Sequence, residues 1–74
     1  MEEVEVDARG LSCPEPVILA KKAIDDPATR IVRVTVNTGA GRDNVSRMAR
    51  SQGCAVDIRP LGAGDFLLTI RKDS

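Results

Sequence analysis

Residues 30–36, with the sequence RIVRVTV, decide the fold of this protein. The run is rich in β-branched side chains, which favour an extended strand. Successive side chains of a strand point to opposite faces, so Val32, Val34 and Val36 share one face, and the other includes a charged and a hydroxyl-bearing residue. The run therefore predicts a half-buried strand whose apolar face must be covered by a second layer.

A helix is predicted on the N-terminal side of this strand. From Pro14 onward the apolar residues are spaced for one broad helical face: Val17, Ile18, Leu19, Ala20, Ala23 and Ile24. Because a proline disfavours helical geometry in the residue before it, Pro16 leaves two starts open, one at Pro14 and one at Pro16. The sequence Asp25-Asp26-Pro27 predicts the end of the helix.

A second helix is predicted on the C-terminal side of the strand. Gly39-Ala40-Gly41 predicts a turn, Asp43 is a candidate N-cap, and the apolar stripe that follows indicates a helix over residues 43–52. Gly53 suits the position just after a helix C-terminus.

Three further strands complete the pattern. At the N-terminus, Val4 and Val6 alternate with acidic residues, as in a half-buried strand. Near the C-terminus, two runs each place three apolar residues on one face: Cys54, Val56 and Ile58, then Phe66, Leu68 and Ile70. A glycine-containing turn over residues 60–65 predicts that these two strands form a hairpin.

The element order βαβαββ predicts an α/β (α+β) two-layer sandwich, with a mixed four-stranded sheet and both helices on one face. We expect the first two strands to be parallel and the last two antiparallel, with one domain over residues 1–74. The order of strands in the sheet is left open.

Composition narrows the functional classes. The chain has no histidine and only two cysteines, so Cys-His catalysis and a four-ligand structural zinc site are excluded, and we expect no cofactor and no metal. The 11 basic and 11 acidic residues balance, which argues against direct nucleic-acid binding. The acidic N-terminus does not resemble a signal peptide and no apolar run reaches membrane-spanning length, so we expect a cytoplasmic protein with no membrane partner.

Cys13 is the candidate nucleophile. It stands directly before Pro14, in the segment between a predicted strand and a predicted helix, and the positive end of the helix dipole favours a thiolate there. Glu15 opposes this effect by repulsion, and Arg9 is expected to offset it, so we predict a lowered pKa for the thiol. Five residues are candidates for supporting the thiolate or its loop: Arg9, Gly10, Pro14, Glu15 and Pro16.

Two other features have weaker functional interpretations. Cys54 shares a strand face with Val56, which favours a structural role in the core. Arg42, Arg47 and Arg50 lie on or near one side of the second helix, where a solvated face is the default interpretation and a partner or anion contact is the alternative.

The motifs resemble a known family. Residues 7–17 (DARGLSCPEPV), followed by residues 20–23 (AKKA), resemble the N-terminal signature of the TusA (SirA-like, YedF-like) family of small sulfur-transfer proteins, which has a Cys-Pro-x-Pro motif. Residues 43–54 and 68–72 resemble its second helix and closing strand. The resemblance implies the βαβαββ fold and a role for Cys13 in accepting sulfane sulfur as a persulfide. It also implies a sulfur donor protein, either a cysteine desulfurase or a rhodanese-like protein, and an acceptor thiol protein such as a DsrE-like protein.

The sequence therefore leads to one main hypothesis and two alternatives. The main hypothesis is a sulfur carrier or persulfide-forming sulfurtransferase that works through Cys13. The alternatives are a non-catalytic protein-binding module and a regulatory module that senses oxidation through the same thiol.

Overall fold

The computed structural model of the protein describes residues 3–11 and 15–72. Its elements, in chain order, are β1 (Glu3–Asp7), α1 (Glu15–Asp25), β2 (Ile31–Val36), α2 (Gly39–Ser51), β3 (Ala55–Gly62) and β4 (Asp65–Arg71). The predicted order βαβαββ is confirmed.

The four strands form one mixed sheet in the order β1-β2-β4-β3. β1 runs parallel to β2, and β4 is antiparallel to both β2 and β3, so both predicted pairings are confirmed. The order that the sequence left open places β2 and β4 in the centre. The two strands richest in buried side chains are therefore flanked by strands on both sides.

The hydrophobic core lies between the sheet and the two helices. On β2 and β4, Val34 faces Leu68 and Val32 faces Ile70, and all four side chains are fully buried. The helices cover this face with buried residues: Ala20 and Ile24 from α1, and Val45 and Ala49 from α2. The alternate side chains of β2 are partly exposed, so the helices cover one face of the sheet.

Helix α2 begins four residues earlier than predicted. Its N-cap is Thr38 rather than Asp43, and the Thr38 side chain accepts a hydrogen bond from the Gly41 N–H at 2.9 Å. Residues 39–41 form the first turn of the helix, whereas the sequence predicted a non-helical turn there. The helix can begin at Gly39 because the Thr38 cap compensates for the poor helix propensity of glycine. At the other end, Gly53 follows the cap residue with φ +82°, which confirms its predicted position.

The hairpin between β3 and β4 is tighter than predicted. β3 continues to Gly62, and the loop consists of Ala63 and Gly64, whose positive φ values of 54° and 82° fit a type I′ turn. Pro60 lies within β3 because β3 is an edge strand with a register shift between Pro60 and Gly62.

Helix α1 begins, in the described residues, at Glu15, which lies between the two predicted starts, and it ends at Asp25 as predicted. Pro14 lies outside the described residues. The helix packs against α2, β2 and β1, and this packing brings its first turn beside the start of α2.

Candidate functional site

The chain turns sharply after β1, just before the candidate nucleophile. The Ala8 N–H extends the β1–β2 ladder by donating to the Thr35 carbonyl at 2.8 Å, and the Leu11 N–H donates back to the Ala8 carbonyl at 3.4 Å. Gly10 has φ +77°, while Arg9 does not have a positive φ. These features define a type II turn over residues 8–11, in which the third position requires a residue that tolerates positive φ.

The side chain of Asn37 connects this turn to the end of β2. Its Oδ1 accepts a hydrogen bond from the Gly10 N–H at 3.0 Å, across 27 residues of sequence. Asn37 is the first residue after β2, so the end of a central strand holds the middle of the turn. Asn37 is not among the residues predicted for the site, and its only signal in the sequence is a polar residue directly after a buried strand.

Arg9 is paired with carboxylates on both sides of the turn. Its Nε and Nη2 donate to the two carboxylate oxygens of Asp7, each at 2.9 Å, and its Nη1 lies 3.6 Å from Asp65 at the start of β4. The hydrogen bonds from Arg9 lower the pKa of Asp7 to about 2, and those carboxylates raise the pKa of Arg9. Arg9 thus links the turn to the β3–β4 hairpin through Asp65. The sequence did not predict Asp65 as a partner of Arg9.

An open pocket of about 370 Å³ lies beside the turn. Gly10 and Leu11 line it before residues 12–14, Pro16 lines it after them, and four residues between Asn37 and Gly41 form the opposite wall. The wall includes the first turn of α2, whose N–H groups carry the positive end of the helix dipole. The pocket therefore lies next to both chain segments that flank Cys13.

The candidate site residues of the Cys-Pro-Glu-Pro motif divide into two groups. Cys13 and Pro14 lie outside the described residues. Glu15 is exposed in the first turn of α1, and Pro16 is buried against the pocket. Arg9, Gly10, Glu15 and Pro16 thus lie on the two sides of residues 12–14.

The three arginines of α2 do not converge on one point. Arg42 lies at the same end of the sheet as Gly10: its guanidinium is 4.7 Å from the centre of the Phe66 ring, and its Nε donates to Asp43 at 2.9 Å. This bond raises the pKa of Arg42. Arg50 donates instead to Ser46, about 12 Å further along the helix axis. Arg47 is exposed between them.

Cys54 lies at the opposite end of the sheet from the turn at Gly10. It precedes β3, where Ala55 pairs with Arg71 and Arg71 pairs with Ile31 at the start of β2. It is 9% exposed, its N–H donates to the Ala49 carbonyl at 3.1 Å, and burial raises the pKa of its thiol. About 17 Å of β2 separates the two ends of the sheet. Cys54 is a core residue.

Two kinds of feature are absent from residues 3–11 and 15–72. No group of three or more cysteine, aspartate or glutamate side chains there is arranged to hold a metal ion. Neither of the two helices is both long and apolar enough to cross a membrane.

Three comparisons with known proteins agree with one another. The sequence model of the family described as "Sulfurtransferase TusA" matches residues 4–72. The chain is 32% identical over 73 residues to the sulfur carrier protein TusA of Pseudomonas syringae pv. syringae (strain B728a), covering 97% of this chain and 87% of that relative. The crystal structure of the SirA-like protein of Desulfitobacterium hafniense superposes with a TM-score of 0.85 at 33% identity, covering 96% of this chain and 99% of that chain.

Proposed function

Because the chain belongs to the TusA family of sulfurtransferases, we propose that it is a sulfur carrier that accepts sulfane sulfur as a persulfide on Cys13 and passes it to an acceptor thiol. The protein acts as a persulfide-forming sulfurtransferase in this proposal, and its partners are a donor protein and an acceptor protein. The donor is a cysteine desulfurase or a rhodanese-like protein, and the acceptor is a thiol protein such as a DsrE-like protein.

The buried environment of the second thiol, Cys54, is the observation that carries this proposal. The chain has two cysteines. Cys54 is buried, and its raised pKa keeps it in the unreactive thiol form. Cys13 follows a turn and precedes α1, in a strand-to-helix connection of the kind that carries functional residues on many folds. Of the two thiols, Cys13 is therefore the one that we assign to sulfur transfer.

The proposed reaction consists of two exchanges at sulfur, without net oxidation. The Cys13 thiolate attacks the terminal sulfur of the donor persulfide; a new S–S bond forms, the donor S–S bond breaks, and the donor cysteine leaves as a thiolate. The acceptor thiolate then attacks the terminal sulfur on Cys13, and Cys13 leaves as a thiolate. Each step needs a thiolate and an accessible sulfur atom, so this relay requires no cofactor.

The neighbouring residues have supporting roles in this proposal. Pro14 and Pro16 restrict the backbone beside Cys13, which reduces the conformational entropy lost when a partner docks. Gly10 and Arg9 hold the preceding turn, and the N-terminal turn of α1, which includes Glu15, presents the end of a helix dipole to the thiolate. Arg42, at the same end of the sheet, is the cation that we assign to the anionic persulfide or to an acidic partner. Arg47 and Arg50 are assigned only to contact with a partner.

The proposed relay operates in the cytoplasm, where thiols are kept reduced and a persulfide can be handed from one protein to the next. We propose no membrane partner and no direct contact with nucleic acid. Docking is expected at the end of the sheet that carries Gly10, Asp65 and Arg42, because Arg9 and Asn37 fix the turn before Cys13 at that end.

The test is sulfur loading followed by intact-protein mass spectrometry. The protein is incubated with cysteine and a cysteine desulfurase, and its mass is measured without reductant. We expect wild type and Cys54→Ala to gain the mass of one sulfur atom, and Cys13→Ala to gain nothing. The proposal fails if wild type gains sulfur from neither donor system, a cysteine desulfurase with cysteine or a rhodanese with thiosulfate. It also fails if Cys13→Ala gains sulfur to the same extent as wild type.

A further inference from the structure

We infer that Asn37 is a positioning residue for the Cys13 thiol, because it fixes the peptide between Arg9 and Gly10 in one orientation. This inference rests on the proposed function, which makes Cys13 the sulfur-bearing residue. We assign the effect of Asn37 to the turn that precedes the thiol.

The hydrogen bond from Gly10 to Asn37 is the observation behind this inference. The Gly10 N–H donates to Asn37 Oδ1 at 3.0 Å, and this N–H belongs to the central peptide of the turn over residues 8–11. Type I and type II turns differ mainly by a rotation of this peptide, which reverses the direction of its N–H. The acceptor on Asn37 meets the N–H in the type II orientation that Gly10 adopts with φ +77°.

The turn has a specific need for such a restraint. Glycine populates positive and negative φ about equally, so Gly10 by itself does not select either orientation. The bonds of Ala8 to Thr35 and of Leu11 to Ala8 fix the two ends of the turn. The Arg9 N–H donates to Asp7 Oδ1 at 3.2 Å, and the N–H of the central peptide, which belongs to Gly10, donates to Asn37. Cys13 follows Gly10 by three residues, so a change at this peptide alters the path along which the chain reaches the thiol.

Asn37 is placed to influence the thiol segment without supporting the core. Its side chain is exposed at the end of β2, and it lines the pocket together with Gly10 and Leu11. Its bond joins residues 27 positions apart, so it restrains the turn against a rigid central strand. A side chain in this position can change the reactivity of the thiol more than it changes the stability of the fold.

The experiment measures the rate of sulfur loading from a cysteine desulfurase in a Cys54→Ala background, at a pH high enough that the rate no longer rises with pH. On this plateau the thiol is fully ionised, so a changed thiol pKa no longer alters the fraction of thiolate, and the rate reports mainly the position of the sulfur atom. We expect Asn37→Ala to lower the plateau rate by about tenfold to a hundredfold, since a misplacement of about 1 Å can cost about a hundredfold in rate. Asn37→Asp should restore most of the rate, because a carboxylate oxygen also accepts from the Gly10 N–H.

Asp26→Ala is the matched control. The Asp26 carboxylate also accepts one backbone N–H at 3.0 Å, from Ala28, in an exposed turn that follows the C-terminus of α1. We expect this variant to load within about twofold of wild type, since surface changes of this kind have small effects. Asn37→Ala loading as fast as Asp26→Ala would overturn the inference.

A second pair of variants tests the route through the turn. Gly10→Ala forces strain at φ +77° although the added methyl meets no atom within 4 Å. The double variant combines Gly10→Ala with Asn37→Ala. If Asn37 acts through the peptide between Arg9 and Gly10, the plateau rate of the double variant should match that of the slower single variant. Independent, multiplying effects would contradict the inference. Failure of wild type to load any sulfur would instead overturn the proposed function, so the two failures are distinguishable.

Discussion

Replacing Gly41 by alanine tests the observed start of helix α2. A Cβ atom at Gly41 would lie 2.9 Å from Thr38 Oγ1, which is closer than such atoms approach in folded proteins, and 3.5 Å from the Val36 side chain, which is an ordinary contact. The Thr38 hydroxyl must therefore move, and its hydrogen bond from the Gly41 N–H is lost.

Two opposing contributions determine the size of the effect. Loss of the N-cap hydrogen bond costs about 1 kcal/mol, and replacing a helical glycine by alanine gains up to about 1 kcal/mol. Gly41→Ala alone should thus change the free energy of unfolding by close to zero. In a Thr38→Ala background, where no hydroxyl is displaced, the same change should stabilise the protein by up to about 1 kcal/mol.

The assay is urea unfolding followed by circular dichroism for wild type, both single variants and the double variant. We expect a coupling of about 1 kcal/mol between positions 38 and 41, equivalent to about 4–8 °C in Tm for a domain of this size. If Gly41→Ala has the same effect in both backgrounds to within about 0.3 kcal/mol, the two residues are independent and the assigned cap is wrong.

Three further predictions concern the ion pair, the core and the second thiol. The hydrogen bonds from Arg9 lower the pKa of Asp7 from 3.8 to about 2. The ionised Asp7 carboxylate therefore contributes to the free energy of unfolding above about pH 4, and this contribution is lost as the pH falls through about 2. Urea midpoints should fall less steeply over this range in Asp7→Asn, and an unchanged slope would contradict the pairing. Leu68 is 0% exposed, so Leu68→Ala should lower the free energy of unfolding in urea by about 2–5 kcal/mol. Leu67→Ala, on the other face of β4, should lower it by less, and equal losses would refute the assigned face. In a Cys13→Ala background, iodoacetamide should modify Cys54 slowly in the native state and rapidly in urea; rapid native modification would show that this thiol is accessible.

The strands could be predicted from the sequence because their signal is local. The alternation of Val32, Val34 and Val36 with more polar residues sets the buried face of β2 without reference to any other part of the chain. The same reasoning predicted the buried face of β4, which the structure confirms at Leu68 and Ile70.

Local reasoning failed where a side chain outweighed backbone propensity. Gly39 and Gly41 favour a turn by propensity, yet they open α2 because the Thr38 hydroxyl caps the helix and leaves no room for a Cβ at Gly41. The tighter hairpin has a similar explanation, since Pro60 is compatible with a strand only at the sheet edge. That edge position depends on the strand order, which no local pattern specifies.

The candidate site shows the same division between local and long-range information. The motif that contains Cys13 is contiguous in sequence and could be identified from it. Asn37 and Asp65 reach the turn before Cys13 from 27 residues or more away, and their contacts depend on the parallel pairing of β1 with β2 and on the β3–β4 hairpin. Such contacts follow from the topology of the sheet, and the only local sign of them is the polar residue directly after the buried strand β2.

Cyanolysis of the loaded protein is the most direct test of a transferable sulfur atom on Cys13. The protein is loaded by a cysteine desulfurase, separated from the donor and treated with cyanide, which removes sulfane sulfur as thiocyanate and returns Cys13 to a thiolate. We predict one thiocyanate per loaded chain, with return to the unmodified mass, in wild type and Cys54→Ala, and none from Cys13→Ala. If the added mass persists after cyanide treatment, it represents oxidation of the thiol and not a persulfide, and the sulfur-carrier account is contradicted.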